Sequence, residues 1–314
     1  PDYETVIVAM DKYLTVKAGQ KVGFPCPRTC LPEGDKDLQQ FKQDWEFPLI
    51  IRPRFSSGAQ GIEVAKDFTD LVEKIHRVQG RWGAPMIQEY IPGKDRTANS
   101  FRVVIDKDGE LITCFCSTDI RTVVRLRRGW VSAFELEAPG PYLAHAVRLL
   151  REVGWWGGAS VSTKLDPRDG VPKLTEINCR FGSRLWHATE LGINLPLMCL
   201  KIARGEKIPK VDDYPSALVL LDPVGDLFQV CFWLVDFPLY KIRTRVLGMS
   251  PVDPLKAPMS PAQLIHSYRA TYFSKRKKLF TPYFRHFATD PIVSLLEWSS
   301  YGKQFFEHAR ELGK

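Results

Sequence analysis

The 314-residue sequence predicts an α+β fold, in which antiparallel strands and helices alternate along the chain. Two β-rich runs within residues 100–118 flank Asp-Lys-Asp-Gly, which is a favourable hairpin turn. A second pair of strands, at 157–165 and 171–179, is joined by the turn sequence DPRDG. Apolar residues at helical spacing indicate amphipathic helices at 67–78 and 138–154.

The first half of the chain contains short elements that are separated by proline and glycine. Asp67 is expected to cap its helix, with Asp70 at the third helical position. Residues 47–53, FPLIIRP, form a short apolar run that predicts a buried strand. The remaining predicted elements are helices at 3–22, near Ser183 and at 195–206, an extended segment at 23–29, a small-residue loop at 54–61, and strands at 62–65 and 84–93.

The character of the chain changes beyond Pro209, where prolines become frequent between residues 215 and 262. Residues 217–237 form the longest apolar stretch, but three aspartates and a proline interrupt it. Because a membrane span needs about 20 nearly uncharged residues, we predict a buried strand followed by an amphipathic helix, and no membrane association. We therefore expect one domain over 1–209 and a C-terminal accessory region over 210–314.

The chain has a formal net charge of +8 and a pI of about 9.1, which favours an anionic partner. Nucleic acid, a membrane surface and a phosphorylated small molecule all satisfy that charge. The basic run SKRKKL at 274–279 motivates a nucleic-acid-binding alternative. No helix-turn-helix, zinc-finger or RNP pattern accompanies the run, so nucleic acid is not the expected partner.

The seven cysteines are scattered without the C-x-x-C spacing of a zinc site, so we predict free thiols in a reducing cytoplasm. The first residues, PDYETVIVAMDK, lack the basic and then apolar order of a signal peptide. A cytoplasmic location is therefore expected. None of the six histidines has a metal-ligand spacing, and a structural role is the better interpretation of His187.

Polar side chains alternate in the stretch LTEINCR at 174–180. Side chains two apart on a strand point to the same face, so Glu176, Asn178 and Arg180 are predicted to form one row. Glutamate and asparagine oxygens suit Mg²⁺, and an arginine suits a phosphate or a carboxylate. This combination is typical of phosphoryl transfer, while a solvent-facing polar strand edge is an equally good interpretation of the row alone.

The loop RFSSGAQG at 54–61 consists mainly of small residues, which let backbone N–H groups approach a phosphate. It lacks the P-loop and Rossmann glycine patterns, and an ordinary hairpin turn is the better interpretation of the loop alone. Arg52 lies on the strand just before the loop, where a cation would face the same phosphates.

The order of these parts resembles the ATP-grasp superfamily, in particular its carbamoyl-phosphate-synthase-like and carboxylate–amine ligase members. The resemblance covers about two-thirds of the chain, and no single motif decides it. The matching stretches are MDK (10–12), GFPCPRT (23–29), PLIIRPRFSSGAQGI (48–62), IQEYIPGKD (87–95), KLDPRDGVPKLTEINCR (164–180) and LGINLP (191–196).

The resemblance implies an ATP-grasp fold with a phosphate-covering half at about 1–92 and a metal-binding half at 93–209. It implies that Glu176 and Asn178 bind Mg²⁺ and that Arg180 holds an acyl phosphate or its carboxylate precursor. Arg102, Arg121 and Arg125 are weaker candidates for phosphate or substrate contacts. The ATP-binding residues that it implies are Lys12 and Arg52 on the phosphates, Ser57 and Gly58 in the covering loop, Gln88, Glu89, Tyr90 and Ile91 beside the adenine, and Asp95 on the ribose.

Two positions depart from the family pattern. Arg52 stands where the family usually has lysine, and the two are not interchangeable at a phosphate site. Ser162, in V-S-T-K, stands where a first acidic or amide metal ligand is expected, as in V-E-F-K. The family's preceding small domain also has no counterpart ahead of the MDK helix, which leaves that domain missing, cut off or supplied by another chain.

The resemblance implies an ADP-forming carbon–nitrogen ligase that uses ATP and Mg²⁺. A small-molecule carboxylate would be activated as an acyl phosphate and attacked by an amine or a similar nucleophile. The departures at Arg52 and Ser162 keep a second hypothesis open, a nucleotide-binding protein without turnover. The sequence does not identify the two substrates, and homo-oligomerisation stays open.

Overall fold

A computed structural model of the chain describes residues 1–93, 98–123, 130–182, 185–211, 213–246, 258–273, 278–280 and 299. These residues fall into two compact units. The first unit comprises Pro1–Gly93, Thr97–Thr118 and Ala138–Tyr214, and the second draws its described residues mainly from Asp119–Glu137 and Pro215–Lys314. The predicted boundary after residue 209 stays a prediction, and the units differ from it by grouping 119–137 with the C-terminal part.

The described helices and strands follow the predicted α+β pattern. The helices are α1 (Tyr3–Met10), α2 (Lys12–Lys21), α3 (Asp35–Asp44), α4 (Phe68–Trp82), α5 (Tyr142–Glu152), α6 (Leu185–Glu190), α7 (Leu195–Ala203), α8 (Pro223–Lys241) and α9 (Pro261–Tyr272), with a π-helical segment at Ile242–Val246. The strands are β1 (Thr29–Cys30), β2 (Leu49–Pro53), β3 (Glu63–Ala65), β4 (Pro85–Glu89), β5 (Ala98–Ile105), β6 (Leu111–Val123), β7 (Trp130–Glu137), β8 (Gly157–Asp166), β9 (Val171–Asn178), β10 (Leu218–Leu221) and β11 (Lys278–Phe280).

A four-stranded antiparallel sheet in the first unit has the order β1-β4-β2-β3. Helix α4 buries Leu71, Ile75 and Val78, which recur at helical spacing, in the same apolar cluster as strand residues of this sheet. Its predicted cap is confirmed, because the Asp67 carboxylate accepts a hydrogen bond of 2.9 Å from the Asp70 backbone N–H. The loop at 54–61 follows directly from the end of β2, so this sheet fixes where the loop starts.

In a larger sheet, residues 111–118 of β6 pair with β5, β5 pairs with β8 and β8 pairs with β9, all antiparallel and all within the first unit. Both predicted hairpins are confirmed, since β5 pairs with β6 and β8 pairs with β9. Helix α2 contacts β9 closely at Gly19, where an added Cβ would come within 2.6 Å of the Leu174 side chain. Leu174 N–H also donates to the Pro25 carbonyl at 2.8 Å, so the start of the chain is fastened to β9.

The predicted helix at 3–22 is interrupted at Asp11. This residue has an extended backbone, with φ −78° and ψ 108°. Its carboxylate accepts hydrogen bonds from the backbone N–H groups of Tyr13 and Leu14, so it caps a new helix, α2. The interruption matters because it places Lys12 at the first position of α2.

The second unit contains β10 and β7, which pair antiparallel with Val219 opposite Glu135. The apolar stretch at 217–237 forms the predicted strand and helix, β10 and α8. Among the described residues, no helix has the length and apolar character to cross a membrane. The seven cysteines all lie in the described part of the chain and form no disulfide, as predicted.

Arg121 was a weaker candidate for substrate contacts, and this prediction is wrong. Its side chain is fully buried in the second unit and forms an ion pair with Asp226. The same guanidinium donates to Thr271 Oγ1 at 2.7 Å and lies 4.2 Å from the centroid of the Tyr268 ring. With its donors committed to protein groups, Arg121 joins the last residues of β6, which belong to the second unit, to α8 and α9.

Candidate functional site

Glu176 and Asn178 lie at the end of β9 and share one face, as the alternation predicts. Asn178 Nδ2 donates a hydrogen bond of 3.0 Å to Glu176 Oε1. The strand ends at Asn178, so the exposed Arg180 follows it and does not extend the row on the strand. The predicted three-residue row is therefore confirmed for its first two members only.

Two cations from distant parts of the first unit converge on this carboxylate. Lys12 Nζ lies 3.8 Å from Glu176 Oε2, and Arg52 Nη2 lies 3.7 Å from the same oxygen. The side chains of Lys12 and Arg52 are only 6% and 9% exposed, whereas Glu176 is 30% exposed. The Glu176 carboxylate is therefore the most solvent-accessible of the three charged groups, and the two cations are more deeply buried.

Lys12 is positioned by the start of α2 and by the small-residue loop. Its backbone N–H donates to the Arg54 carbonyl at 3.1 Å, and its Nζ donates to the Ser56 carbonyl at 2.5 Å. Arg54 in turn forms an ion pair with the Asp11 carboxylate that caps α2. The loop and the helix therefore fix this ammonium group from both sides.

Arg52 is held in place by hydrogen bonds from one of its terminal nitrogens. Nη1 donates to Gln88 Oε1 at 3.0 Å and to the Thr175 carbonyl at 3.2 Å. Gln88 is oriented by its own hydrogen bond of 2.8 Å to Thr29 Oγ1. These contacts leave Nη2 directed at Glu176.

Burial is the main influence on both cations. Burial lowers the pKa of Lys12, and the nearby charge of Arg52 lowers it further. The carboxylates of Glu176 and Asp11 act in the opposite direction. Burial likewise lowers the pKa of Arg52, again against the effect of Glu176. The cluster holds two poorly solvated cations against one carboxylate, so an additional anion would be stabilised there.

The other predicted phosphate-binding residues lie in the loop beside Lys12. Ser57 and Gly58 are exposed. Gly58 has a φ of +59°, a backbone conformation that favours glycine. The structure therefore brings the loop next to Lys12, and the contact of Ser57 and Gly58 with a nucleotide stays a prediction.

The predicted adenine-binding stretch, Gln88 to Ile91, consists of the last two residues of β4 and the two residues that follow the strand. Gln88 is paired on both sides, with Thr29 in β1 and Ile50 in β2, so it lies inside the sheet. The Glu89 N–H donates to the Arg28 carbonyl at 3.0 Å. Contact of this stretch with a base stays a prediction, and Asp95, predicted on the ribose, lies outside the described residues.

Lys164 is a residue at this stretch that the sequence did not single out. Its Nζ donates to the Ile91 carbonyl at 2.6 Å and lies 5.4 Å from the centroid of the Tyr90 ring. Burial lowers its pKa to about 8, although Asp166 opposes the shift. The V-S-T-K motif contains this lysine, and only the fold reveals that it reaches the end of β4.

A charged network fixes Glu89 to the β8–β9 hairpin. Arg168 Nη2 lies 3.0 Å from Glu89 and pairs with the fully buried Asp166 carboxylate. Lys173 bridges the same two carboxylates, at 3.6 Å and 2.7 Å. Glu89 therefore has a structural role in joining the two sheets of the first unit.

The network makes stability depend on pH through Asp166. The Arg168 hydrogen bonds hold the pKa of Asp166 below its usual range; burial opposes this, and Lys173 supports it. The pKa of Asp166 is lower in the folded state than in the unfolded state, where it is about 3.9. The stabilisation is therefore complete above about pH 3.9, and it is lost progressively as the pH falls from there toward the folded-state pKa.

Unfolding measurements between about pH 5 and pH 3 test this. We expect the wild-type free energy of unfolding to fall more steeply than that of D166N. The matched control D44N, at an exposed position, is expected to keep the wild-type slope. Equal slopes for the wild type and D166N would contradict the assignment.

The donor set fits a magnesium ion that brings further ligands with it. Glu176 supplies a carboxylate, and the Asn178 side chain, whose amide nitrogen donates to that carboxylate, also carries an amide oxygen suited to the ion. Ser162 is directly opposite Glu176 in the β8–β9 register, so a hydroxyl stands where the resemblance leads us to expect a first acidic or amide ligand. Mg²⁺ commonly binds one or two carboxylates together with substrate phosphates, and such a set is sufficient. No cluster of three or more His, Cys, Asp or Glu suited to a metal occurs in the described part of the chain.

The remaining candidates are placed as follows. His187 is buried on α6, in keeping with a structural role. Arg102 is buried on β5, where Nη1 donates to Ser117 Oγ at 2.9 Å. Arg125 and the basic stretch at 274–277 lie outside the described residues.

Curated proteins related to this chain include synthases and ligases. The chain is 21% identical over 221 residues to the carbamoyl phosphate synthase large chain of Thermoanaerobacter sp. (strain X514). This alignment covers 67% of this chain and 20% of that protein. The chain is 22% identical over 210 residues to the D-aspartate ligase of Enterococcus faecium (strain Aus0004), with 62% and 49% covered. The chain therefore spans less than half the length of these relatives.

Solved structures with the same fold include the biotin carboxylase domain of the Hydrogenobacter thermophilus 2-oxoglutarate carboxylase, a dimer in complex with MgADP, ADP and bicarbonate. The match has a TM-score of 0.60 at 16% identity and covers 70% of this chain and 51% of that one. A family model for the ATP-grasp domain matches residues 9–184. The predicted α+β ATP-grasp fold is confirmed, and the chain belongs to the ATP-grasp domain family.

Proposed function

We propose that this chain binds ATP with Mg²⁺ and uses it to activate a small-molecule carboxylate for attack by an amine or a similar nucleophile. The observation that carries the proposal is the convergence of Lys12 and Arg52 on the Glu176 carboxylate, within 3.8 Å. A carboxylate, an amide and two buried cations beside a small-residue loop match the needs of a metal-bound triphosphate.

Each residue has a separate task in the proposed reaction. Lys12 and Arg52 neutralise the phosphates, and their burial strengthens the attraction. Arg180 holds the substrate carboxylate or the acyl phosphate formed from it. The γ-phosphoryl group passes to a carboxylate oxygen, ADP leaves, and the nucleophile then displaces phosphate.

The metal site is formed by Glu176 and Asn178, whose side chains are joined by a hydrogen bond of 3.0 Å. When bound, Mg²⁺ would shield the charge of the phosphate oxygens. Gln88 and Thr29 keep Arg52 in position, since they form a chain of hydrogen bonds of 3.0 and 2.8 Å. The relatives' names support ATP-dependent ligation as the reaction type and do not identify the substrates of this chain.

The proposal is tested by ADP release. Purified protein is mixed with ATP, Mg²⁺ and pools of carboxylates and amines, and ADP is measured by a coupled assay. We expect release that requires at least one carboxylate pool and Mg²⁺. Tight ATP binding without release in any pool would contradict the ligase.

A nucleotide-binding protein without turnover is the second candidate, and the serine opposite Glu176 favours it. A hydroxyl is a poorer Mg²⁺ ligand than a carboxylate. ATP stabilisation in a thermal-shift titration that is independent of Mg²⁺ would favour this candidate. If the site is only weakened, S162E is expected to increase Mg²⁺-dependent turnover.

A further inference from the structure

Glu176 is paired with other groups of the chain through both of its oxygens. Oε1 accepts the hydrogen bond from Asn178 Nδ2 at 3.0 Å. Oε2 lies within ion-pair distance of Lys12 and Arg52, at 3.8 and 3.7 Å. A metal ion that approaches Glu176 therefore competes with two cations for the same oxygen.

Charge makes this competition unfavourable for a metal ion alone. Lys12 and Arg52 outnumber Glu176, and the nearby Asp11 carboxylate is balanced by its ion pair with Arg54, so the cluster is net positive. Their side chains are at least nine-tenths buried, and buried charges are poorly screened by salt. The same cluster attracts a polyphosphate, whose negative charge compensates both cations.

Each cation is anchored by a bond that does not involve Glu176. Lys12 Nζ donates to the Ser56 carbonyl at 2.5 Å. Arg52 Nη1 is fixed by Gln88 and the Thr175 carbonyl, so only Nη2 faces the carboxylate. Both cations are therefore able to exchange Glu176 for a phosphate with little displacement.

We propose that Lys12 and Arg52 couple metal binding to nucleotide binding, by holding Glu176 until a triphosphate takes over both cations. Mg²⁺ then enters together with the nucleotide and binds weakly by itself. This inference deepens the proposed function and rests on it. It assigns the two cations a role in the order of binding in addition to phosphate neutralisation.

The direct test is the affinity for Mn²⁺ in the absence of nucleotide. The electron paramagnetic resonance signal of unbound Mn²⁺ measures how much of the ion the protein binds. Each single substitution leaves one cation on Glu176 and makes the site electrically neutral, so K12Q and R52Q are each expected to bind Mn²⁺ about 10-fold or more tightly than the wild type, a factor within the usual range for coupled sites. E176Q is expected to abolish this binding. Two variants are used because Arg52 also contacts Gln88 and Thr175, and its replacement perturbs the sheet more.

A matched control separates pairing from a general charge effect. R180Q removes an exposed cation that follows the row and has no ion pair with Glu176 among those found in the described residues. Because exposed charges interact weakly, we expect its Mn²⁺ affinity to stay within about twofold of the wild type. An increase in R180Q equal to that in K12Q, or no increase in K12Q and R52Q, would overturn the inference.

Calorimetry with ATP distinguishes failure of the inference from failure of the proposed function. The wild type is expected to bind ATP about 10-fold or more tightly with Mg²⁺ than with EDTA. No ATP binding under either condition would remove the proposed function. ATP binding that is equally tight with Mg²⁺ and with EDTA would leave nucleotide binding intact and overturn the coupling.

Discussion

Replacing Glu176 with glutamine is expected to reduce Mg²⁺-dependent ADP formation about 100-fold or more, which is the usual cost of losing a preorganised electrostatic group in an active site. Glutamine keeps the size and the hydrogen bond to Asn178 but removes the charge that binds the metal. The variant is measured under saturating ATP and Mg²⁺ with the carboxylate pool that supports turnover.

The control for this prediction is E73Q, which removes an exposed carboxylate, 67% accessible, from the surface of α4. Its turnover is expected to match the wild type. We expect E176Q to fold, because the Glu176 side chain is 30% exposed. Thermal unfolding of the variant checks this. Near-wild-type turnover in folded E176Q would contradict the assignment of Glu176 to the metal.

Replacing Arg121 with methionine is expected to lower the free energy of unfolding by about 3–5 kcal/mol, because Asp226 is left buried without its counterion. The Arg121 and Asp226 side chains are 0% and 3% exposed. The Tyr272 hydroxyl also donates to Asp226, at 2.8 Å, and does not neutralise its charge. Urea unfolding, followed by circular dichroism and tryptophan fluorescence, measures the loss.

Two further variants define the origin of this effect. The double variant R121M/D226L removes both charges and is expected to recover much of the lost stability. The reason is that neither a buried arginine nor a buried aspartate then has to lose its water of hydration on folding. R77M removes an exposed ion pair with Glu73 on α4, and its cost is expected to be below about 1 kcal/mol. A loss below about 1 kcal/mol in R121M would show that the buried pair contributes little.

Most elements of the first unit could be predicted because their signals are local. Turn residues mark the two hairpins, and Asp67 marks the start of α4. Helix α3 was missed because its ten residues are mostly polar, with Leu38 as its buried apolar side chain. Strand β7 was missed because Ala133, Phe134 and Leu136 are all buried, which removes the alternation of a half-buried strand.

The shared face of Glu176 and Asn178 could be predicted because the two residues are two apart on one strand. The partners of Arg52 could not, because Gln88 and Thr175 are separated from it by 36 and 123 positions. The break at Asp11 was missed because an aspartate inside an apolar helical pattern also fits a helix surface. Its carboxylate caps α2 through the backbone N–H groups of Tyr13 and Leu14, and its ion pair with Arg54, 43 positions away, could not be read from the local pattern.

The central claim is that Lys12, Arg52, Glu176 and Asn178 together bind a metal-bound triphosphate. The most direct test is a crystal structure of the full chain with Mg²⁺ and a non-hydrolysable ATP analogue. We expect phosphate oxygens within hydrogen-bond distance of Lys12 Nζ and Arg52 Nη2, and Mg²⁺ on the oxygens of Glu176 and Asn178. A nucleotide bound elsewhere, with the ion pairs of 3.7 and 3.8 Å to Glu176 intact, would contradict the claim.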